Sequence, residues 1–311
     1  MQQLISYYRM PGDREEDIAA AIAAAGLDGV ENLIYGTVPA AIPFRRVTRG
    51  VHLKYWTYWV DLWRGEEERL SENFPSREAR AAFYGARDRD GWIETVRANI
   101  RAALAENPRY LVWHIQDCTN GEAWSRNFHY TDREVLQAAA ELYQECRDLI
   151  PDGVSVLFEN IFWPGLCDMD RGKLAAFFAA VDDDAHTGLM FDTGHFMSTN
   201  WDLATEAEAA DCICQAVRRM GSLKHRIHGI HLSCSLSGRY QKTCPRKMPA
   251  GCTTEMLFRH ISSIDQHRPF TTDAAARIVD TIQPEYLTHE LFGDTFSEAL
   301  GKAAGQMKCV F

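Results

Sequence analysis

The chain has 311 residues and a formal net charge of −10 at pH 7, a balance that argues against a general nucleic-acid-binding surface, because such surfaces are basic. Its apolar fraction of 46% is enough for a sizeable core, and no apolar run approaches the length of a membrane span. Length alone allows one large α/β domain or two smaller ones.

The start, Met1-Gln2-Gln3-Leu4-Ile5-Ser6, lacks the charged and apolar parts of a secretory signal and reads as the beginning of a strand. Strand 1 is expected over Leu4 to Tyr7. Its helix should begin after Asp13, an N-cap candidate with Glu16 three residues on, and run through Ile18 to Ala25 until Gly26 stops it. Strand 2 is Gly29 to Leu33 and strand 3 is Gly50 to Lys54. The helix Trp92 to Glu106, stopped by Asn107-Pro108, leads to strand 4, Tyr110 to Ile115. A helix over Asp132 to Leu149 precedes strand 5, Val154 to Glu159. Lys173 to Val181 leads to strand 6, Gly188 to Asp192, and Ala204 to Met220 leads to strand 7, Ile227 to Leu232. Asp273 to Thr281 leads to strand 8, Tyr286 to Glu290.

Eight β-α units with near-continuous apolar strands suit a parallel sheet buried on both faces. In a chain of this length they fit a closed (β/α)8 TIM barrel, one domain over residues 1–311, better than an open doubly wound sheet. Tyr8-Arg9-Met10-Pro11-Gly12 after strand 1 is not a Gly-rich phosphate fingerprint, which argues against a dinucleotide-binding domain. Two connections are too long to be simple: Tyr55 to about Asp90 after strand 3, and Ser233 to about Phe270 after strand 7. The cysteines number nine, an odd count without a secretory signal, so reduced thiols and a cytoplasmic protein are expected. Cys212-Ile213-Cys214 has the wrong spacing for a zinc knuckle or a redox pair and reads as core packing.

In a barrel of this kind the active site lies at the C-terminal ends of the strands. His52, His114, Glu159, Asp192, His195, His231, Asp265, His267 and Glu290 all fall there or just beyond. Singly, a strand-end histidine is most often a hydrogen-bonded structural residue. Together, an inward cluster of four carboxylates (Glu159, Asp192, Asp265, Glu290) would repel itself without cations. Imidazole and carboxylate together suit zinc, manganese or iron better than calcium or magnesium. His129, His186, His225, His228, His260 and His289 lack such placement and read as structural or solvated; alternation turns His228 and His289 toward the helices.

The order His, His, Glu, Asp, His three residues on, His, Asp-x-His, Glu resembles that of the xylose isomerase-like TIM barrels of the endonuclease IV branch, AP endonuclease family 2. The resemblance implies two to three divalent transition-metal ions, zinc first, with manganese or iron as alternatives. His52, His114 and Glu159 would hold one. Glu159 would bridge to a second, completed by Asp192, His231 and Glu290. His195, Asp265 and His267 would hold a third. Phosphodiester hydrolysis by a metal-activated water follows, with Glu159, Glu290 and His195 as candidate catalytic residues; the two glutamates orient metals and water rather than attack. The long stretch between His231 and Asp265 and the acidic charge depart from DNA-repair members and put abasic DNA in doubt.

Five segments resemble the bacterial cobamide-remodelling phosphodiesterases, which cut the nucleotide loop of vitamin B12-type cofactors. They are Trp59 to Gly65, Phe191 to Asn200, His231 to Gly238, Ile264 to Phe270 and Tyr286 to Glu290. The resemblance implies a small-molecule substrate, a cobamide; the acidic charge and the lack of a long apolar run argue against nucleic acid and membrane as partners. Tyr55, Trp56, Tyr58, Trp59 and Trp63 either stack on such a substrate or form the core of a lid. Trp163 borders the site. Arg239, Lys242, Arg246 and Lys247 either steer a phosphate or form a solvated loop face. Cys234, Cys244 and Cys252 could bind a further metal or stand as unpaired thiols. The alternative enzyme is a single-metal sugar or polyol isomerase or epimerase, which needs only Glu159, Asp192, His231 and Glu290 and uses the two glutamates as acid and base. A non-catalytic corrinoid-binding or metal-storage protein is the third reading.

Overall fold

The short runs of β-branched and apolar residues form strands with both faces covered, as in Thr187–Asp192, where all six positions are buried. In the computed structural model, which describes residues 1–310, eight such strands pair in parallel. They are β1 (Gln2–Tyr7), β2 (Gly29–Ile34), β3 (Thr48–Leu53), β4 (Tyr110–His114), β5 (Ser155–Glu159), β6 (Thr187–Asp192), β7 (Ile227–Leu232) and β8 (Tyr286–His289). Each pairs with its successor, and β8 returns to β1 through Leu4 opposite Thr288, which closes the barrel. This is the expected (β/α)8 barrel.

The barrel interior is packed, not hollow. Leu4, Tyr110, Val112, Leu157, Met190 and Tyr286 form one buried cluster inside it. Gly50 has no side chain because the Tyr110 ring occupies that space: a Cβ there would overlap the ring. The large outer cluster packs the helices against the strands, with Val135, Leu174, Ile213 and Ile278 all buried. This plug leaves the strand C-termini as the one rim where chemistry can gather.

Several boundaries differ from the sequence reading. The first helix is Glu15–Ala25, with Arg14 rather than Asp13 at its N-cap and no side-chain cap bond. Asp13 instead accepts the Tyr7 hydroxyl at 2.6 Å and the Met10 N–H at 2.7 Å, which closes the β1 loop on itself. Gly26 ends the helix in the left-handed region at φ 72°. The helix from Asp132 stops at Gln144 and gives way to a 3-10 turn, Arg147–Leu149. Its start carries a capping box between Thr131 and Glu134. The two long connections hold helices of their own: Val60–Arg64, Glu67–Asn73 and Arg77–Tyr84 in the first, and Gly238–Thr243 and Thr254–Ile264 in the second. The helix Phe296–Met307 after β8, absent from the sequence reading, completes the outer ring. Its buried Gln306 bonds the Phe270 N–H, the Leu232 carbonyl and His289 Nδ1. Among the described residues no cysteine is in a disulfide, and no helix is long and apolar enough to cross a membrane.

Candidate metal centre

Period-two alternation and parallel register bring the strand-end residues onto one rim. His114 lies opposite Glu159 across β4 and β5, and Asp192 lies opposite His231 across β6 and β7. Asp192 does a second job as N-cap of the helix Thr193–Ser198, accepting the His195 N–H at 2.5 Å. That cap swings His195 back over the rim. Gly194 lets the turn lie against β7, since a Cβ there would meet Ser233 Oγ at 2.5 Å. His267 sits at φ 44°, a conformation rare for a residue with a side chain, and its ring meets Asp265.

The side chains gather into three groups, within each of which the ligand atoms lie no more than 4.8 Å apart. In the first, His114 Nε2 lies 2.7 Å and His52 Nε2 3.2 Å from Glu159 Oε2. In the second, His231 Nδ1 lies 2.9 Å from Glu159 Oε1, 3.1 Å from Glu290 Oε2 and 3.7 Å from Asp192 Oδ2. Glu159 thus offers one oxygen to each group. In the third, Asp265 Oδ2 lies 3.2 Å from His195 Nε2 and 2.6 Å from His267 Nε2. All nine expected ligand residues come together, and none of the six other histidines joins a group of this kind among the described residues. His260 is stacked on Trp124 and bonds Tyr240 and the Ala123 carbonyl, and His289 bonds Gln3 and Gln306. Cys234, Cys244 and Cys252 also join no such group among the described residues.

The donor set fits cations. A backbone carbonyl only accepts, so the carbonyls of Leu53, Asn160 and Glu290 fix Nδ1 of His52, His195 and His267 as N–H. Neutral rings held in this way turn Nε2 lone pairs toward carboxylate oxygens. Acceptors then face acceptors across the site, an arrangement that a positive charge between them relieves. Asp192 Oδ2 and Glu290 Oε2 are buried without a hydrogen-bond partner. A fourth group, Asp132, Cys167 and Asp168, does not fit: Lys173 Nζ already bridges Asp132 and Asp168 at 2.5 and 2.8 Å.

Protons substitute for metal in the electrostatics. Burial disfavours every charge here, yet His114 and His231 hold Glu159 well below the usual carboxylate range. Burial is opposed in the same way at Glu290 by His231 and His267, and at Asp265 by His267 and His195, so both also lie low. Burial wins at Asp192, whose carboxyl is pushed well up. It also wins at His114, whose pKa is lowered. His231 and His195 are raised well above the ordinary range, against burial, by Glu31 and Glu290 for one and by Asp192 and Asp265 for the other.

A cavity of about 290 Å³ opens above the three groups. Its walls are aromatic and apolar: Tyr35, Tyr55, Phe162, Trp163, Phe258 and Phe292. None of the described residues lining it is Lys or Arg. Tyr55 stacks on His114 with ring centroids 4.4 Å apart, and Phe292 stacks on His267 at 4.2 Å. Tyr8, Tyr35 and Tyr55 form an aromatic row outward, each 6.2 Å from the next.

The other expected substrate contacts lie elsewhere. Trp56, Tyr58, Trp59 and Trp63 are buried in the core of the first long connection. Trp56, Trp59 and Trp63 surround Trp92, and their ring N–H groups bond the Phe83 carbonyl, the Gln116 carbonyl and Glu141. Indoles with satisfied N–H groups and packed faces have no surface left for a ligand. Lys242 is paired with Asp202 at 2.6 Å, Arg239 is exposed and off the cavity wall, and Arg246 and Lys247 line a separate cleft of about 630 Å³ beside Glu122 and His129. The helix Gly238–Thr243 buries Gln241 instead, on the Ser198 carbonyl and Ser237 Oγ, which turns its cations outward. Of the expected contacts, Tyr55 and Trp163 line the cavity. Sequence reasoning missed Tyr35, Phe258 and Phe292, for which no periodic signal exists. It also missed Glu31, which did carry a signal: an acid in the middle of an apolar strand buried on both faces.

The fold is similar to that of endonuclease IV. The Thermus thermophilus enzyme of that name superposes with a TM-score of 0.58 at 12% identity, over 100% of this chain and 99% of that one. A D-tagatose 3-epimerase-like protein matches at 0.52 with 14% identity, over 100% and 97%. An L-ribulose 3-epimerase matches at 0.55 with 12% identity, over 99% and 92%. No protein family and no curated protein matches the chain in sequence. At these identities the likeness is one of fold.

Proposed function

We propose that this protein is a metal-dependent phosphodiesterase acting on the nucleotide-loop phosphodiester of a cobamide. The observation that carries the phosphodiesterase reading is the third group, His195, Asp265 and His267, beside a pair of groups that share Glu159. A single-metal isomerase has no use for it. Bound divalent ions at such sites make water acidic enough to act as a nucleophile near neutral pH and neutralise phosphate oxygens. The chain's own part is positional. Glu159 holds two groups at a fixed spacing, Glu290 and Asp192 complete one of them, and carbonyl bonds lock three of the imidazole rings.

The substrate reading is supported by the cavity and by the five motif segments. A wall of aromatic rings suits the face of a large planar ligand. The absence of Lys and Arg from the described wall leaves phosphate charge to the metals. It also suits a small molecule better than a nucleic-acid strand, whose successive phosphates call for basic side chains. We extend the proposal to a cytoplasmic setting with reduced cysteines and zinc as the first metal.

The second reading, a sugar or polyol epimerase or isomerase, is favoured by the Glu159, Asp192, His231 and Glu290 group standing complete by itself. Metal analysis of the purified protein separates them. More than one transition-metal ion per chain is expected; a single ion together with turnover of a ketose would establish the isomerase.

A further inference from the structure

We propose that Glu31 is a positioning residue for His231: a buried carboxylate behind the ring that determines which nitrogen faces the metal site. The inference rests on the reading that Glu159, Asp192, His231 and Glu290 hold a metal ion.

His231 is reversed relative to its neighbours. His52, His195 and His267 turn Nε2 into the site and give the Nδ1 proton to a backbone carbonyl, at 3.0, 2.8 and 3.0 Å. His231 turns Nδ1 into the site, among oxygens of Glu159, Asp192 and Glu290. Its Nε2 points back into the barrel, where no carbonyl receives it. Glu31 Oε1 lies 2.9 Å away, too far off line to count as a bond in this structure, yet neither atom has any other partner.

The barrel builds a seat for this one carboxylate from three strands. Glu31 on β2 is fully buried. Its second oxygen accepts the Tyr110 hydroxyl of β4 at 2.7 Å and the Thr288 hydroxyl of β8 at 3.1 Å. Tyr110 reaches it through the space that Gly50, opposite Glu31 in register, leaves open. Among the described residues no Lys or Arg pairs with Glu31, and the His231 ring is the nearest group that can give its free oxygen a proton to accept. A buried carboxylate without compensation is costly. Accepting the Nε2–H compensates it, leaves the lone pair on Nδ1 and raises that nitrogen's basicity as a ligand.

The test compares wild type, Glu31→Gln and Tyr110→Phe, each stripped of metal and reloaded with Zn²⁺ or Co²⁺. Glu31→Gln keeps the shape but removes the charge. A loss of roughly 10- to 100-fold in affinity for one ion, read by chelator competition, is expected, with a changed Co²⁺ visible spectrum and an unchanged far-ultraviolet circular dichroism. Tyr110→Phe, which loosens Glu31 without touching His231, should show a smaller loss. Wild-type affinity and spectrum in Glu31→Gln would overturn the proposal. If Glu31→Gln does not fold, unchanged affinity in Tyr110→Phe overturns it instead. A wild-type protein that takes up neither metal would sink both this inference and the reading beneath it.

Discussion

His267 Nε2 lies 2.6 Å from Asp265 Oδ2, while the same ring gives its Nδ1–H to the Glu290 carbonyl at 3.0 Å. A neutral ring so held points a lone pair at a carboxylate, and only a cation or an extra proton makes that arrangement favourable. In the metal-free protein the proton serves: burial opposes it, but Asp265 and Glu290 outweigh burial and push His267 up to about 10.

His267→Ala removes a ligand that a multi-metal site needs and a single-metal isomerase does not. The variant should bind one ion fewer per chain. Its phosphodiester hydrolysis should fall by at least about 100-fold, given that a metal supplies several kcal/mol to such a transition state. Metal analysis and initial rates on adenosylcobalamin check this. Unchanged hydrolysis would remove the third group from the chemistry.

The cavity wall and the helix Gly238–Thr243 should separate cleanly in kinetics. Phe258 is 64% exposed and Phe292 44% exposed beside the metal ligands, so Phe258→Ser and Phe292→Ala should raise KM for the cobamide several-fold with little change in Tm. Lys242 is tied to Asp202 on the surface. Lys242→Ala should leave kcat/KM intact and change stability by less than about 0.5 kcal/mol. A large KM effect from Lys242→Ala would restore the phosphate-steering role to that loop.

Trp59 should matter for stability and not for recognition. It is buried against Trp92 with its N–H on the Gln116 carbonyl. Trp59→Ala should cost about 3–5 kcal/mol, as large-to-small changes at buried aromatics do, with KM unaltered in the fraction that stays folded. Thermal melts and substrate titration distinguish this from a ligand-stacking tryptophan.

The barrel was legible because its signal is repeated. Apolar strands such as Leu189 to Phe191 and Ile230 end in a ligand-type residue, Asp192 and His231, again and again around the rim. The ligand set was legible because spacing and order survive folding. What the sequence hid was direction. Trp56, Tyr58, Trp59 and Trp63 look the same in a row whether they face a ligand or one another, and the helix Val60–Arg64 that carries Trp63 is only five residues long. Arg239 and Lys242 are cations near the site in sequence but on the outer face of a short helix. Asp13 resembles an N-cap by spacing, yet the Tyr7 hydroxyl competes for the same carboxylate and holds it.

Asp117 gives the fold a pH dependence of predictable sign. It is buried, which raises its pKa to about 7 although the Trp59 and Val60 N–H groups, at 2.7 and 2.8 Å, favour its charged form. The folded state therefore keeps a proton that the unfolded state releases near the ordinary carboxylate value, and the group's contribution to stability is lost as pH rises from about 4 through about 7. Asp117→Asn keeps an acceptor and removes the titration. Its Tm relative to wild type should rise between pH 5 and pH 8. A difference that stays constant over that range would show that Asp117 is ionised throughout.

The most direct test of the central claim is incubation of the zinc-loaded protein with adenosylcobalamin, followed by chromatography and mass spectrometry. The account predicts cleavage into two products, one of them the released nucleotide-loop fragment, with rates abolished by chelator and restored by metal. Intact adenosylcobalamin alongside turnover of a ketose by the same preparation would contradict it.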